Sequence, residues 1–111
     1  YKRGEVPLEH PVSFFRLEYA LNSILYHYPK PIVALMNGIT MGGGYGVAGN
    51  SRIRVACEST LFAMPETNIG FFPDVGATTH LVKAPGHLGR YLAMTGLTLS
   101  GPAMVQAGLA E

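Results

Sequence analysis

Residues 31–44 read PIVALMNGITMGGG and carry the strongest structural signal in the 111-residue chain. Their first six residues form a short apolar run, which is typical of a buried strand. Asn37 and Gly38 then predict a turn, and three adjacent glycines, residues 42–44, follow. Because glycine loses much backbone entropy on folding, such a run indicates that side chains would clash there or that φ is positive. A helix that begins here would offer free backbone N–H groups to an oxyanion.

Helical and extended patterns alternate around this glycine run. Apolar residues recur at helical spacing from Phe14 to Tyr28, which predicts a helix that Ser13 caps and Pro29 ends. Further strands are predicted at 52–56 and 60–63, a loop with one helical turn at 65–76, and helices at 78–83, at 87–95 and after residue 100. The alternation predicts an α/β fold.

The composition limits the classes of function. The net charge is +1 and 14% of residues are charged, so there is no basic surface typical of nucleic-acid or anionic-membrane binding. No apolar run reaches the roughly 18 residues that a membrane span needs. With Cys57 as the only cysteine, no internal disulfide is expected, which favours a reducing, intracellular compartment. The chain begins without Met, in a loop-like stretch, and we expect residues 1–111 to be part of one catalytic domain that continues beyond both ends.

Two acids follow the predicted strands in proline-rich, apolar surroundings. Glu66 lies in Met-Pro-Glu-Thr and Asp74 in Phe-Phe-Pro-Asp-Val-Gly. Burial raises a carboxyl pKa, and two nearby acids separate each other's pKa values, which is how a general base and a partner acid come to differ. The alternative is that both are exposed turn residues, or that Glu66 caps a short helix. Two acids near a glycine run favour a catalytic role.

Other candidate sites have weaker support. The four histidines lack metal-ligand spacing, no G-x-S-x-G sequence is present, and Cys57 fits the core better than a nucleophile. Arg52 and Arg54 are expected on the polar face of their strand. Residues Gly44–Gly49 form a G-x-G-x-x-G pattern, so an NAD-binding oxidoreductase is an alternative of a different class. No acid follows at the position that binds ribose, and the glycines could also serve close packing alone.

Three segments together resemble the crotonase (enoyl-CoA hydratase/isomerase) superfamily. They are the 31–44 stretch, Phe-Ala-Met-Pro-Glu at 62–66 and Phe-Pro-Asp-Val-Gly at 72–76; residues 91–96 and 107–110 also match the family pattern. The resemblance implies a spiral of ββα repeats, here as an internal segment, and assembly into a homo-oligomer. Its substrates are acyl-CoA thioesters, and it implies no metal and no redox cofactor, since coenzyme A arrives as part of the substrate.

Within that superfamily the chain looks most like the 3-hydroxyisobutyryl-CoA hydrolases of valine catabolism. Enoyl-CoA hydratases carry a catalytic glutamate two residues after the glycine run, where this chain has Gly46. The hydrolases carry an aspartate in the turn that Asp74 matches, and their substrate-site helix resembles the segment around Glu18. A hydratase or isomerase that uses Glu66 alone is the alternative within the same fold.

The resemblance also implies a role for each site residue. The Gly43 N–H would supply one half of an oxyanion hole for the thioester carbonyl, and Glu66 would act as general base or as nucleophile. Asp74 would orient the substrate hydroxyl or a water molecule, and Glu18 would line the acyl pocket. The other oxyanion donor comes from an A-G-G-D-type segment that residues 1–111 do not contain, and without it we expect no useful activity. Relatives are cytoplasmic in bacteria and mostly mitochondrial in eukaryotes.

Overall fold

A computed structural model describes residues 9–111. The chain alternates strands with short helices after one long first helix. The helices are α1 (Glu9–Tyr26), α2 (Gly43–Gly49), α3 (Ala77–Leu81), α4 (Leu88–Thr95) and α5 (Gly101–Gln106), with a 3-10 helix at Pro65–Ile69; the strands are β1 (Val33–Met36), β2 (Ile39–Met41), β3 (Ile53–Ala56), β4 (Leu61–Ala63) and β5 (Leu99–Ser100). This order confirms the α/β prediction.

The strands form two small sheets through repeated ββα units. The first unit is β1-β2-α2, and the second is β3-β4 followed by the 3-10 helix and α3. The first strands of both units pair in parallel, and so do the second strands, β2 with β4. Strand β5 adds to β4 in the antiparallel direction. Because each unit stacks on the equivalent strands of the one before it, the chain follows the predicted spiral.

The core lies between α2, β4 and the C-terminal helices. Its largest fully buried side chains include Tyr45, Phe62, Leu92 and Met104. The ring of Tyr45 on α2 meets the ring of Phe62 on β4 edge to face, with 4.6 Å between the centroids. Edge-to-face packing favours one orientation of the two rings. This contact fixes α2 over the sheet and so sets the position of the glycine run.

Helix α1 begins earlier than the sequence predicts. It already includes Glu9, the first of the described residues, and Pro11 lies within it. Ser13 is therefore not the N-cap; its hydroxyl donates to the His10 carbonyl at 2.9 Å instead. The helix ends at Tyr26, three residues before Pro29. No helix within residues 9–111 is both long and apolar enough to cross a membrane.

The prediction for Arg54 was wrong in part. Its side chain is half-buried, and its guanidinium donates to the Leu109 carbonyl at 2.9 Å and to the Ser51 carbonyl at 3.1 Å. A guanidinium has five donors in a fixed fork, so it can join separate carbonyl groups. Arg54 thus ties β3 to the segment after α5, whereas Arg52 is exposed as expected. Strands β2 and β5 had not been predicted.

Candidate active site

The glycine run forms the junction between β2 and α2. Gly42 has a φ of 50°, in the left-handed region that favours glycine. Its N–H donates to the Ala63 carbonyl at 3.2 Å, which joins the ends of β2 and β4. Gly43 is the first residue of α2 and is exposed, and N–H groups in the first turn of a helix have no acceptor within that helix. The Gly43 N–H is thus available to a ligand.

Glu66 lies directly beneath this junction. It is the second residue of the 3-10 helix that Pro65 begins, one residue after the end of β4. Its side chain is only 8% exposed, and its Oε2 atom has no hydrogen-bond partner. A Cβ atom on Gly42 would stand 2.9 Å from Glu66 Oε1, so only glycine leaves room for this carboxyl. A buried carboxyl oxygen without a partner is costly for folding, and a catalytic role is one reason for a protein to retain it.

Glu18 approaches the same junction from α1. A Cβ atom on Gly43 would stand 2.7 Å from Glu18 Oε1, so the carboxyl lies against the first residue of α2. Glu18 also lines an apolar groove between α1 and α2, whose other residues are Phe14, Leu17, Leu21, Asn22 and Val47. The structure therefore places this helical acid beside the glycine run.

Asp74 lies in the loop between the 3-10 helix and α3 and is half-buried. Burial raises the pKa of Glu66 and the pKa of Glu18, and the charge of Asp74 raises both further. For Glu66, a hydrogen bond from its own backbone N–H partly offsets the rise in pKa. A carboxylate raises the pKa of acids close to it because their ionised forms repel. The structure therefore brings together the three predicted acids and Gly43.

Tyr19 completes the group and was not singled out from the sequence. Its hydroxyl donates a hydrogen bond to Asp74 Oδ2 at 2.7 Å. Burial, followed by this hydrogen bond and by the charges of Asp74 and Glu18, raises the pKa of Tyr19 to about 12. The hydroxyl consequently keeps its proton at neutral pH. A tyrosine beside a helical acid gives no sequence signal that separates it from an exposed aromatic residue.

Gly46 is closed to any side chain. A Cβ atom on Gly46 would stand 2.6 Å from Val75 Cβ. Val75 itself has a φ of 47°, which is a strained conformation for a β-branched residue. The Asn50 amide donates to the carbonyl oxygens of both residues, at 2.6 Å for Gly46 and 3.0 Å for Val75. The C-terminal end of α2 is thereby fixed to the loop that carries Asp74.

The alternative sites receive no support from the described residues. The glycines of the Gly44–Gly49 pattern lie inside α2, where Gly46 meets Val75 and Gly49 meets the Tyr45 ring, so they serve packing instead of forming a phosphate-binding turn. Within residues 9–111 no group of three His, Cys, Asp or Glu side chains could hold a metal ion. Cys57 is half-buried rather than in the core, with its sulfur 3.1 Å from Ser59 Oγ.

The sequence is similar to those of several known proteins. The chain is 57% identical over 98 residues to the mitochondrial 3-hydroxyisobutyryl-CoA hydrolase of Xenopus tropicalis, a match that covers 88% of this chain and 26% of that protein. It is 48% identical over 107 residues to the small ribosomal subunit protein mS47 of Neurospora crassa, covering 96% of this chain and 21% of the relative. The chain thus spans about a quarter of the length of these relatives.

Solved structures show the same fold. An enoyl-CoA hydratase from Rhodobacter sphaeroides superimposes with a TM-score of 0.85 at 43% identity, over 89% of this chain and 29% of that one. A sequence model described as enoyl-CoA hydratase/isomerase matches residues 2–111. The resemblance to the crotonase superfamily, and within it to the 3-hydroxyisobutyryl-CoA hydrolases, is confirmed by these matches. The chain therefore belongs to the enoyl-CoA hydratase/isomerase family.

Proposed function

We propose that the protein hydrolyses the thioester of a short β-hydroxyacyl-CoA, converting 3-hydroxyisobutyryl-CoA to 3-hydroxyisobutyrate and coenzyme A in valine catabolism. The observation that carries this proposal is the contact of Gly46 with Val75, which leaves no room for the second glutamate that a hydratase uses. Among the acids that the structure describes in residues 9–111, Glu66 is the one that is buried at the glycine run, and Asp74 lies close to it. Glu66 and Asp74 fit hydrolysis better than addition of water to a double bond.

In the proposed reaction the thioester carbonyl oxygen accepts a hydrogen bond from the Gly43 N–H. If Glu66 is a general base, it takes a proton from water as the water oxygen attacks the carbonyl carbon. The C–S bond then breaks, and the proton passes to the departing coenzyme A thiolate. If Glu66 is a nucleophile, its carboxylate attacks the carbonyl carbon, the thiolate leaves, and water hydrolyses the resulting anhydride. Both routes need an ionised Glu66.

Asp74 and Glu18 are proposed to bind the acyl group. Asp74 would accept a hydrogen bond from the substrate hydroxyl or from a water molecule, because a carboxylate offers only acceptors. Glu18 would line the acyl pocket, and its position in the apolar groove between α1 and α2 supports this role. The short branched acyl group of the proposed substrate combines methyl and hydroxyl groups, which suits a mainly apolar groove that Glu18 and Asn22 also line.

Two assays with the intact protein test the proposed hydrolysis. Release of free thiol from 3-hydroxyisobutyryl-CoA supports hydrolysis, whereas loss of enoyl absorbance from an enoyl-CoA without thiol release would show a hydratase. Glu66→Gln is expected to abolish thiol release, since the amide neither accepts a proton nor attacks a carbonyl. The control is Glu58→Gln, the same change at an exposed turn. Equal thiol release by both variants would contradict the role of Glu66.

An isotope experiment separates the two roles of Glu66. In a single turnover in ¹⁸O-labelled water, a general base places ¹⁸O in the first molecule of product. A nucleophilic Glu66 instead passes one of its own unlabelled oxygens to that molecule, when water attacks the glutamyl side of the anhydride. The label is read by mass spectrometry of the acid product and of the Glu66 peptide.

A hydratase or isomerase that uses Glu66 alone is the second candidate within the fold. The 43% identity to the hydratase from Rhodobacter sphaeroides favours it. The enoyl absorbance assay above decides between the two reactions.

A structural role in a ribosome is the candidate of a different class. The 48% identity to the Neurospora crassa small ribosomal subunit protein mS47 supports it. Co-sedimentation of the tagged protein with small ribosomal subunits, at salt concentrations that remove loosely bound proteins, would favour this role. Thiol release in the assay above, without such co-sedimentation, would favour the enzyme.

The remaining expectations concern the assembly and its surroundings. We propose that the protein uses no metal and no redox cofactor, so dialysis against a chelator should leave thiol release unchanged. We propose a homo-oligomer, which light scattering of the purified protein would test. For a eukaryotic source we propose the mitochondrial matrix, in line with the mitochondrial relative from Xenopus tropicalis, and for a bacterial source the cytoplasm.

A further inference from the structure

Helix α1 contacts the Asp74 loop through an aromatic row as well as a hydrogen bond. The Phe15 ring on α1 stacks on the Phe71 ring of the loop, with 5.8 Å between the centroids and 25° between the planes. Phe71 stacks in turn on Phe72, at 4.4 Å. On the other side, Phe15 contacts the Tyr19 ring at 5.7 Å. These ring contacts restrict the position of the Tyr19 side chain, whose hydroxyl contacts Asp74.

The chemistry of this hydrogen bond makes it directional. A tyrosine hydroxyl has one proton to donate, and an ionised carboxylate can only accept. The hydroxyl of Tyr19 donates to Oδ2, 2.7 Å away, and this leaves Oδ1 without a role in the contact. Hydrogen bonds to charged groups are among the stronger ones in proteins. The contact therefore restricts rotation of the Asp74 carboxylate about its Cβ–Cγ bond.

We propose that Tyr19 is a positioning residue that holds Asp74 Oδ2, so that Oδ1 faces the substrate hydroxyl or the attacking water. This inference rests on the proposed hydrolase function. Tyr19 itself touches no reacting atom and acts through Asp74. Because Glu18 and Tyr19 are neighbours on α1, the same turn of helix places one acid against Gly43 and orients another.

The first test is Tyr19→Phe in the intact protein, which keeps the ring and its stacking on Phe15 but removes the hydroxyl. We expect kcat for thiol release to fall about 10- to 100-fold, the range for losing a hydrogen bond to a charged group. KM and the melting temperature should change little. Tyr91→Phe, at an exposed tyrosine on α4, is the matched control and should retain full activity. An unchanged kcat in Tyr19→Phe would overturn the proposal.

A double-mutant cycle separates positioning from a general structural effect. In an Asp74→Asn background, adding Tyr19→Phe should lower the residual rate much less than it does in the wild type, since both changes disable the same contact. If Tyr19→Phe lowers the rate by the same factor in the Asp74→Asn background as in the wild type, Tyr19 does not act through Asp74.

A second measurement does not depend on any activity. NMR of ¹³Cζ-labelled tyrosine, with the Tyr19 signal assigned from the Tyr19→Phe variant, follows ionisation of the hydroxyl up to pH 11. The wild-type Tyr19 signal should remain in its protonated position, because its pKa is about 12, and Asp74→Asn should move the start of its titration to lower pH. An identical titration in both proteins would overturn the contact. If the contact is present but the wild type releases no thiol, the proposed function fails while the pairing of Tyr19 with Asp74 stands.

Discussion

Gly46 on α2 lies directly against Val75, in the turn after Asp74, with no room for a side chain between them. A Cβ atom on Gly46 would stand 2.6 Å from Val75 Cβ, a separation that real Cβ atoms do not adopt. Val75 cannot move away freely, because the Asn50 amide holds its carbonyl at 3.0 Å. In a hydratase this position of the helix carries a catalytic acid. Here the position lies against Val75, the residue that follows Asp74, instead.

Gly46→Ala is therefore expected to lower both stability and activity. Overpacking a tightly packed site costs about 1–3 kcal/mol, and the displaced Val75 turn would move Asp74 from the site. The matched control is Gly44→Ala on the same helix, where an added Cβ meets nothing within 4 Å and the backbone is helical. That change should leave stability equal or raise it by up to about 1 kcal/mol. Thermal unfolding and thiol release measure both effects.

A compensating change tests the cause of this loss. Val75→Gly removes the Cβ atom that Gly46→Ala would meet and also relieves the positive φ at residue 75. The double variant should thus recover part of the melting temperature that Gly46→Ala loses. If Gly46→Ala and Gly44→Ala unfold at the same temperature, the contact with Val75 does not restrict the helix.

The pH dependence of turnover should reflect the buried Glu66. Burial, and then the Asp74 charge, raise the pKa of Glu66 above its ordinary value of 4.5. Because the ionised carboxylate is the active form, kcat/KM is expected to fall as the pH drops through this raised pKa, and the acid limb should lie above pH 4.5. Rates of thiol release measured from pH 4 to pH 8 give the midpoint, since kcat/KM reports the free enzyme. A midpoint at or below 4.5 would contradict the burial of Glu66.

The local chemistry of the glycine run and the prolines made much of this site predictable. Gly42 takes a positive φ that few other residues tolerate, and Pro65 starts the short helix that aims Glu66 beneath it. Such residues restrict the backbone by themselves, whatever surrounds them. The resemblance then assigned Glu66, Asp74 and Gly43 to one site, and the structure places them close to one another.

What the sequence did not reveal depends on contacts between distant segments. Tyr19 gains its role only because α1 lies against a loop 55 positions later in the chain. Arg54 reads as one polar position of an alternating strand, yet its guanidinium reaches the Leu109 carbonyl. Strand β2 has three residues between two glycines, which is too short for an alternating pattern to be recognised. Each of these features becomes recognisable only when the three-dimensional structure is known.

Glu66→Gln should stabilise the protein while it removes activity. A carboxyl whose pKa is raised in the folded state contributes stability below its unfolded pKa of about 4.5, and this contribution is lost as the pH rises through the folded pKa. At pH 7 the charged form is therefore unfavourable, and a neutral amide of similar shape avoids the penalty. We expect Glu66→Gln to melt at a higher temperature than the wild type at pH 7.

The difference should shrink as the pH falls towards 4.5, where the wild-type carboxyl becomes neutral as well. Glu58→Gln, at an exposed position, should show no such trend. A Glu66→Gln variant that is less stable than the wild type at pH 7 would mean that the carboxylate has stabilising partners in the folded protein.

The buried His80 is expected to make the protein less stable in mild acid. It is 5% exposed, and burial, followed by the charges of Arg54 and Lys83, lowers its pKa from 6.5 to about 4. A histidine with a lowered pKa contributes stability that is present above its unfolded pKa. That stability is lost as the pH falls from 6.5 to about 4, because the unfolded chain binds the proton first. The loss from this residue is at most about 1.4 kcal/mol per pH unit.

His80→Gln isolates this contribution. The His80 ring nitrogen Nε2 lies 3.3 Å from Asn50 Oδ1, and a glutamine amide can donate to the same oxygen without titrating. Denaturant unfolding at pH 7 and pH 5 should show a smaller decrease in the free energy of unfolding for the variant than for the wild type. His87→Gln, at an exposed position, is the control and should follow the wild type. Equal decreases in His80→Gln and the wild type would show that His80 is not the group that causes the loss.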